Sequence, residues 1–122
     1  MLGGCATGDA KLTRGYRLPA RFVIHAVGPV YRGGHRGEAE LLASAYSSSL
    51  EIAADQRLSS ISFPAISTGA FGYPHEEAAR IALGTILNFI QSHDAPHLVR
   101  MVLYDRHALA VHERVLQDLL SA

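Results

Sequence analysis

The chain predicts an α/β domain with a largely parallel sheet, and three observations carry that prediction. Three short apolar runs alternate with three helix-period patterns, so each strand is followed by a crossover helix. The runs are rich in β-branched and aromatic residues, whereas the longer segments repeat their apolar positions every three or four residues. Hydrophobic residues make up 48% of the 122 and charged residues 18%, which excludes intrinsic disorder and allows one folded domain over residues 1–122. A folded chain of this length buries roughly two-thirds of its surface, enough for a core without covalent staples.

The first run, residues 21–27 (RFVIHAV), is stopped by Gly28 and Pro29, and Gly33, Gly34 and Gly37 mark the loop that follows. From Glu38 to Gln56, Leu42, Ala45, Tyr46, Ala53 and more weakly Ser49 share one helical face. The second run, residues 60–66 (SISFPAI), contains Pro64, which removes a ladder donor and by itself argues for an edge strand. A glycine-rich turn over residues 67–73 leads to Pro74, which opens a helix carrying Glu76 and Glu77 in its first turn. Its core face reads Ala78, Ala79, Ala82, Leu83, Ile86, Phe89 and Ile90, and Pro96 closes the region. The third run, residues 98–104 (LVRMVLY), is the clearest strand. Asp105 is placed to cap a last helix with Ala108, Leu109, Val115, Leu116, Leu119 and Leu120 on its face. Residues 10–13 supply a fourth strand if they pair with the run after Pro19.

Several functions are excluded. Eleven basic residues balance eleven acidic ones, so no positive field exists for general nucleic-acid binding. The single lysine, Lys11, sits in no Gly-Lys-Ser/Thr sequence, which removes a P-loop nucleotidase. One cysteine, Cys5, forms no internal disulfide and no cysteine-rich metal site. No apolar run approaches the roughly 20 residues of a membrane span, and the N-terminus lacks a signal-peptide pattern, so the expectation is a cytoplasmic protein with no membrane partner. The seven histidines fall at spacings that put no two on one helical face as metal ligands. His25, inside an apolar strand, reads as a hydrogen-bonded core residue.

The turn at 67–73 has the features of a phosphate cradle. Gly69 and Gly72 allow a tight turn and close backbone approach, successive N–H groups form a nest, and a helix N-terminus follows. Ser67 and Thr68 offer hydroxyls, Ala70 is small, and Phe71 offers an apolar plate. The spacing alone favours a plain strand-to-helix turn over phosphate binding. Tyr104, at a strand end on the same rim, reads either as a base-stacking residue or as a half-buried strand terminus.

Two longer stretches carry a resemblance. Residues 7–29 (TGDAKLTRGYRLPARFVIHAVGP) resemble the macrodomain segment that runs from an edge strand into the next strand. Residues 62–74 (SFPAISTGAFGYP) resemble the second phosphate-binding loop of that family, and the likeness continues to Asp105. It is closest to the MacroD-like class, which includes bacterial O-acetyl-ADP-ribose deacetylases. The resemblance implies a three-layer α/β/α macrodomain-like sandwich with a mixed, largely parallel sheet and Pro64 inside a strand. It implies a ligand, ADP-ribose or O-acetyl-ADP-ribose, with ADP-ribosylated proteins as further partners and no cofactor. Ser67, Thr68, Gly69, Ala70, Phe71 and Gly72 match the diphosphate loop, and Tyr104 the adenine end of the cleft.

The family's first strand, its central strand ending Asn-Ala-Ala-Asn and its glycine-rich catalytic loop have no counterpart here. Gly3, Gly4 and Cys5 do not match that loop. The resemblance therefore implies a domain incomplete at the N-terminus, covering the C-terminal two-thirds, with catalytic residues unknown. It also implies a slot between the strands near Phe22 and Ile61, where the central strand lies in the family. Hydrolysis of an ester on the distal ribose is the expected activity of the complete form. A non-catalytic ADP-ribose reader and an inactive truncated remnant are the alternatives.

Overall fold

The computed structural model describes residues 5–15 and 20–121. Along the chain run β1 (Ala10–Arg14), β2 (Phe22–Ala26), α1 (Glu38–Asp55), β3 (Ser60–Phe63), α2 (His75–Ile90), β4 (Leu98–Met101) and α3 (Arg106–Ser121). Strands and helices interleave as an α/β fold. The fourth strand exists: β1 pairs with β2 antiparallel, with Lys11 opposite His25 and Thr13 opposite Val23. The stretch 16–19, including Pro19, lies outside the described residues, as do Gly3 and Gly4.

The expected slot is present, and two expectations about strand ends change. The described strands form two pairs, β1–β2 antiparallel and β3–β4 parallel, rather than one continuous sheet. Between them lies a cavity of about 390 Å³ bordered by Val23 and Ile24 on one side and Ile61 and Phe63 on the other. β3 ends at Phe63, so Pro64 lies just outside the strand, and the carbonyl before it still accepts from Val102 N–H at 2.8 Å. β4 likewise stops at Met101, not at Tyr104, because the chain turns away toward Asp105 and α3. Asp105 does cap that helix, its carboxylate accepting from Ala108 N–H at 2.9 Å.

The core forms where α1 and α2 face each other over β3. Leu42, Tyr46 and Leu50 from α1 meet Phe63, Tyr73 and, from α2, Ala78, Ala82, Ile86 and Phe89. Ser49, the weak member of the α1 face, is fully buried because its hydroxyl donates to Ala45 C=O at 2.8 Å. On the other side of α2, Ala79 and Leu83 pack on Val111 and Val115 of α3. Ile90, Leu109 and Leu120 were expected in the core and are instead exposed, because each lies at the edge of its helix's apolar stripe. His25 is also exposed, its Nε2 2.9 Å from the Thr13 hydroxyl across the hairpin, so it is no core histidine. Among the described residues no helix is long and apolar enough to cross a membrane.

Two polar contacts hold this frame. Tyr46, 1% exposed, accepts from Ile66 N–H at 3.0 Å and donates to Pro64 C=O at 3.2 Å, and burial pushes its hydroxyl up to about 12. Glu38 at the start of α1 accepts from the N–H groups of Arg32, Gly34 and Arg36 at 2.7, 2.9 and 2.6 Å. These bonds, Arg32 foremost, lower its carboxyl from 4.5 to about 2 despite its burial.

Tyr46→Phe keeps the ring and takes the partner from the Ile66 N–H and the Pro64 C=O. It should cost about 1–3 kcal/mol, read as a lower midpoint in urea unfolding with an unchanged slope. The Glu38 carboxylate binds its proton more weakly in the folded chain than in the unfolded one. Its contribution is complete above about pH 4.5 and is lost as the pH falls toward about 2. Glu38→Gln should therefore lower the melting temperature at pH 7 and flatten its decline between those two pH values.

Candidate functional site

β3 and β4 are parallel, so the segments that leave their C-terminal ends, 64–73 and 102–105, emerge on one rim. α2 and α3 begin on the same side, and their first turns touch: His75 and His107 meet edge to face at 5.6 Å. Two helix N-termini, each with its positive dipole end, thus flank the loop that the sequence singled out. The histidine spacing had given no hint of this pair, because the contact is between helices.

The loop is built so that its bonds point inward. Tyr73 N–H donates to Ser67 C=O at 2.9 Å, closing its base, and Gly72 N–H donates to Gly69 C=O at 3.0 Å across a tight turn. Thr68 bonds back to Ala65 C=O through both its N–H, at 3.4 Å, and its hydroxyl, at 2.8 Å. Tyr31 N–H donates to Phe71 C=O at 2.9 Å, and the Tyr31 and Tyr73 rings pack at 4.8 Å. What remains is a run of three consecutive N–H groups, on Gly69, Ala70 and Phe71, that donate to no acceptor among the described residues. All three residues are exposed. Successive outward-facing N–H groups in a turn are the arrangement that can receive an anion.

The two glycines do different work. Gly72 has φ +75, which the turn requires, whereas Gly69 has no positive φ and a Cβ there would meet nothing within 4 Å. The fold does not need a glycine at 69, so the open space above it is available to a ligand. A third glycine bears on this loop from outside it: Gly28, which the sequence marks only as the stop of a strand. A Cβ on it would collide with Ser67 Oγ and Ile66 Cγ2. Ser67 itself is held at φ 68, unusual for a residue with a side chain, and its buried hydroxyl has no partner.

The site residues therefore separate into those presented to solvent and those beneath. Gly69, Ala70, Phe71 and Gly72 form the exposed lip. Ser67 and Thr68 were expected to offer hydroxyls, yet the first is buried against Gly28 and the second is spent on Ala65. Tyr104 is fully exposed, three residues beyond β4, and stacks on no ring among the described residues. Phe71, at 42% exposure, offers an apolar surface at the other end of the rim. No group of three or more His, Cys, Asp or Glu among the described residues is arranged to hold a metal ion.

Comparison with known proteins identifies the family. The chain is 49% identical over 119 residues to a macro domain-containing protein of Methanosarcina mazei, matching 98% of this chain and 64% of that one. It is 46% identical over 114 residues to an O-acetyl-ADP-ribose deacetylase of Escherichia coli K12, covering 93% of this chain and 64% of the relative. The chain thus spans just under two-thirds of each. Its structure matches the Oceanobacillus iheyensis macrodomain with ADP at a TM-score of 0.91 and 44% identity, over 95% of this chain and 60% of that one. Residues 1–82 match the family model for the macro domain, and this chain belongs to that family.

Proposed function

We propose that this chain binds ADP-ribose, with the 67–73 loop gripping the diphosphate, and that within a whole domain it serves hydrolysis of O-acetyl-ADP-ribose or related ADP-ribosyl esters. The observation that carries this reading is the run of free N–H groups on Gly69, Ala70 and Phe71, open above Gly69 and set before the N-terminus of α2. Two phosphates linked to sugars fit it: backbone donors take the oxygens without any cation, which suits a chain of zero net charge. Phe71 then lies beside the distal ribose, and Tyr104 at the adenine end. The deacetylase relative and the ADP-bound neighbour support the same ligand class. Fixed N–H donors stabilise charge that develops on the ligand without reorganising, and a held diphosphate positions the ester for attack.

Gly69→Val places a branched side chain in the open space, where its Cβ meets nothing within 4 Å. Calorimetric titration with ADP-ribose should show affinity reduced by at least about tenfold, which is about 1.4 kcal/mol, while the melting temperature stays near that of the parent. Unchanged affinity would remove the diphosphate role from this loop.

The aromatic ends separate by ligand. Tyr104→Ala should weaken ADP-ribose and ADP severalfold and leave ribose 5-phosphate unaffected, whereas Phe71→Ala should leave ADP unaffected and weaken ligands that carry the distal ribose. Equal losses for ADP and ribose 5-phosphate in Tyr104→Ala would count against its place at the adenine end.

A further inference from the structure

We infer, on the ligand reading above, that residues 32–36 dock the polypeptide joined to the distal ribose, and that the partner they fit is an acidic segment with Asp or Glu flanking the modified position. The stretch reads RGGHR. Arg32, His35 and Arg36 are all exposed. Neither arginine forms an ion pair with a carboxylate among the described residues. The N–H groups of Gly33 and His35 likewise donate to no acceptor among them. An incoming chain therefore meets two guanidiniums, an imidazole and two backbone donors on one short strap.

The backbone that carries these groups is fixed. The Glu38 carboxylate, 2% exposed, accepts the N–H groups of Arg32, Gly34 and Arg36 at 2.7, 2.9 and 2.6 Å. Its charge is spent on backbone donors, so it anchors both arginines without pairing with either guanidinium. The Tyr31 hydroxyl also lies against the strap, 3.2 Å from where a Cβ on Gly34 would stand. An anchored backbone lowers the ordering cost of binding, which leaves only the long side chains to be fixed.

Position and charge together select the partner. Tyr31 N–H donates to Phe71 C=O at 2.9 Å, so Arg32 is the next residue after the one that holds the ligand loop. Phe71 is exposed and, in the reading proposed above, lies beside the distal ribose. An ADP-ribosyl ester joins its protein to that ribose, so the polypeptide leaves the cleft at Phe71, where the strap begins. A guanidinium takes a carboxylate through two parallel bonds, and two such groups suit a short acidic segment. A long polyanion fits less well, because eleven basic residues balance eleven acidic ones and leave no net field to hold it.

The test uses the 122-residue chain and two peptides that carry ADP-ribose on a central serine, a linkage with no ester to hydrolyse. One peptide has glutamates on both sides of that serine, and the other has glutamines at the same positions. At low salt the glutamate peptide should bind about fivefold tighter, and the difference should vanish near about 0.5 M salt, where exposed charges are screened. Arg32→Gln combined with Arg36→Gln keeps the backbone N–H groups on Glu38. It should abolish the preference and leave the affinity for free ADP-ribose within about twofold of the parent. Equal affinity for the two peptides, or a preference that survives in the double variant, overturns the proposal. Failure of the parent to bind free ADP-ribose overturns the ligand reading instead. The unmodified glutamate peptide then decides the strap: amide shifts confined to 32–36 and lost in the double variant uphold it, and their absence overturns it. A preference for poly(ADP-ribose) that the double variant loses, without any preference between the peptides, overturns the acidic partner in favour of the polymer.

Discussion

The Tyr46 hydroxyl is the contact on which the rest of the structure depends. Its ring is locked in the core of α1, edge to face with Phe63 at 5.0 Å, and its oxygen reaches the first turn beyond β3. There it accepts from the Ile66 N–H and donates to the Pro64 C=O, two groups that no strand satisfies. One buried side chain thereby decides where β3 ends and at what angle the chain leaves for the rim. The hydroxyl itself sits on a buried ring, so losing the pair of bonds leaves a fixed Tyr46 side chain with no substitute partner in the core.

From that anchor the loop is held by a short series of backbone bonds. Tyr73 N–H closes onto Ser67 C=O, and Phe71 C=O is taken by Tyr31 N–H from the neighbouring 28–37 segment. Glu38 in turn holds that segment with three accepted N–H bonds, so the start of α1 reaches the loop through two intermediates. The outcome is an asymmetry: inward-facing carbonyls are spent within the protein, and the N–H groups of 69–71 are left outward. The left-handed Ser67 belongs to the same design. Its strain, of the order of 1–3 kcal/mol, is accommodated because Gly28 leaves room for its side chain and the Tyr73 N–H holds its carbonyl.

The loop and the slot are separate consequences of the same strand. β3 uses its odd residues to pair with β4, which sets the rim, and its even residues face the cavity toward β2. α1 supports both, contributing Tyr46 to the loop anchor and Ser49 to the cavity wall. The ion pairs of Arg80 with Glu76 and Asp118, and of Arg114 with Glu76, lie on the outer seam of α2 and α3. They are half exposed and add little to either feature.

The order of elements, the α/β class and the position of the loop were legible in the sequence, because each rests on local physics. Apolar periodicity marks helices and strands, glycine marks the turn at 72, and Asp105 marks a cap. The likeness of residues 62–74 to one family added the proposed ligand class. What tertiary structure alone decided were the long-range contacts: Glu38 over the 32–36 backbone, Tyr46 on Pro64 and Ile66, Gly28 beneath Ser67, and His75 against His107. It also decided which hydroxyls are presented, turning Ser67 and Thr68 from donors into supports, and which strands pair. Periodicity tells which face of an element is apolar, but a contact between elements depends on where the intervening chain returns. That is set by the packing of the whole domain and is written in no short stretch of sequence.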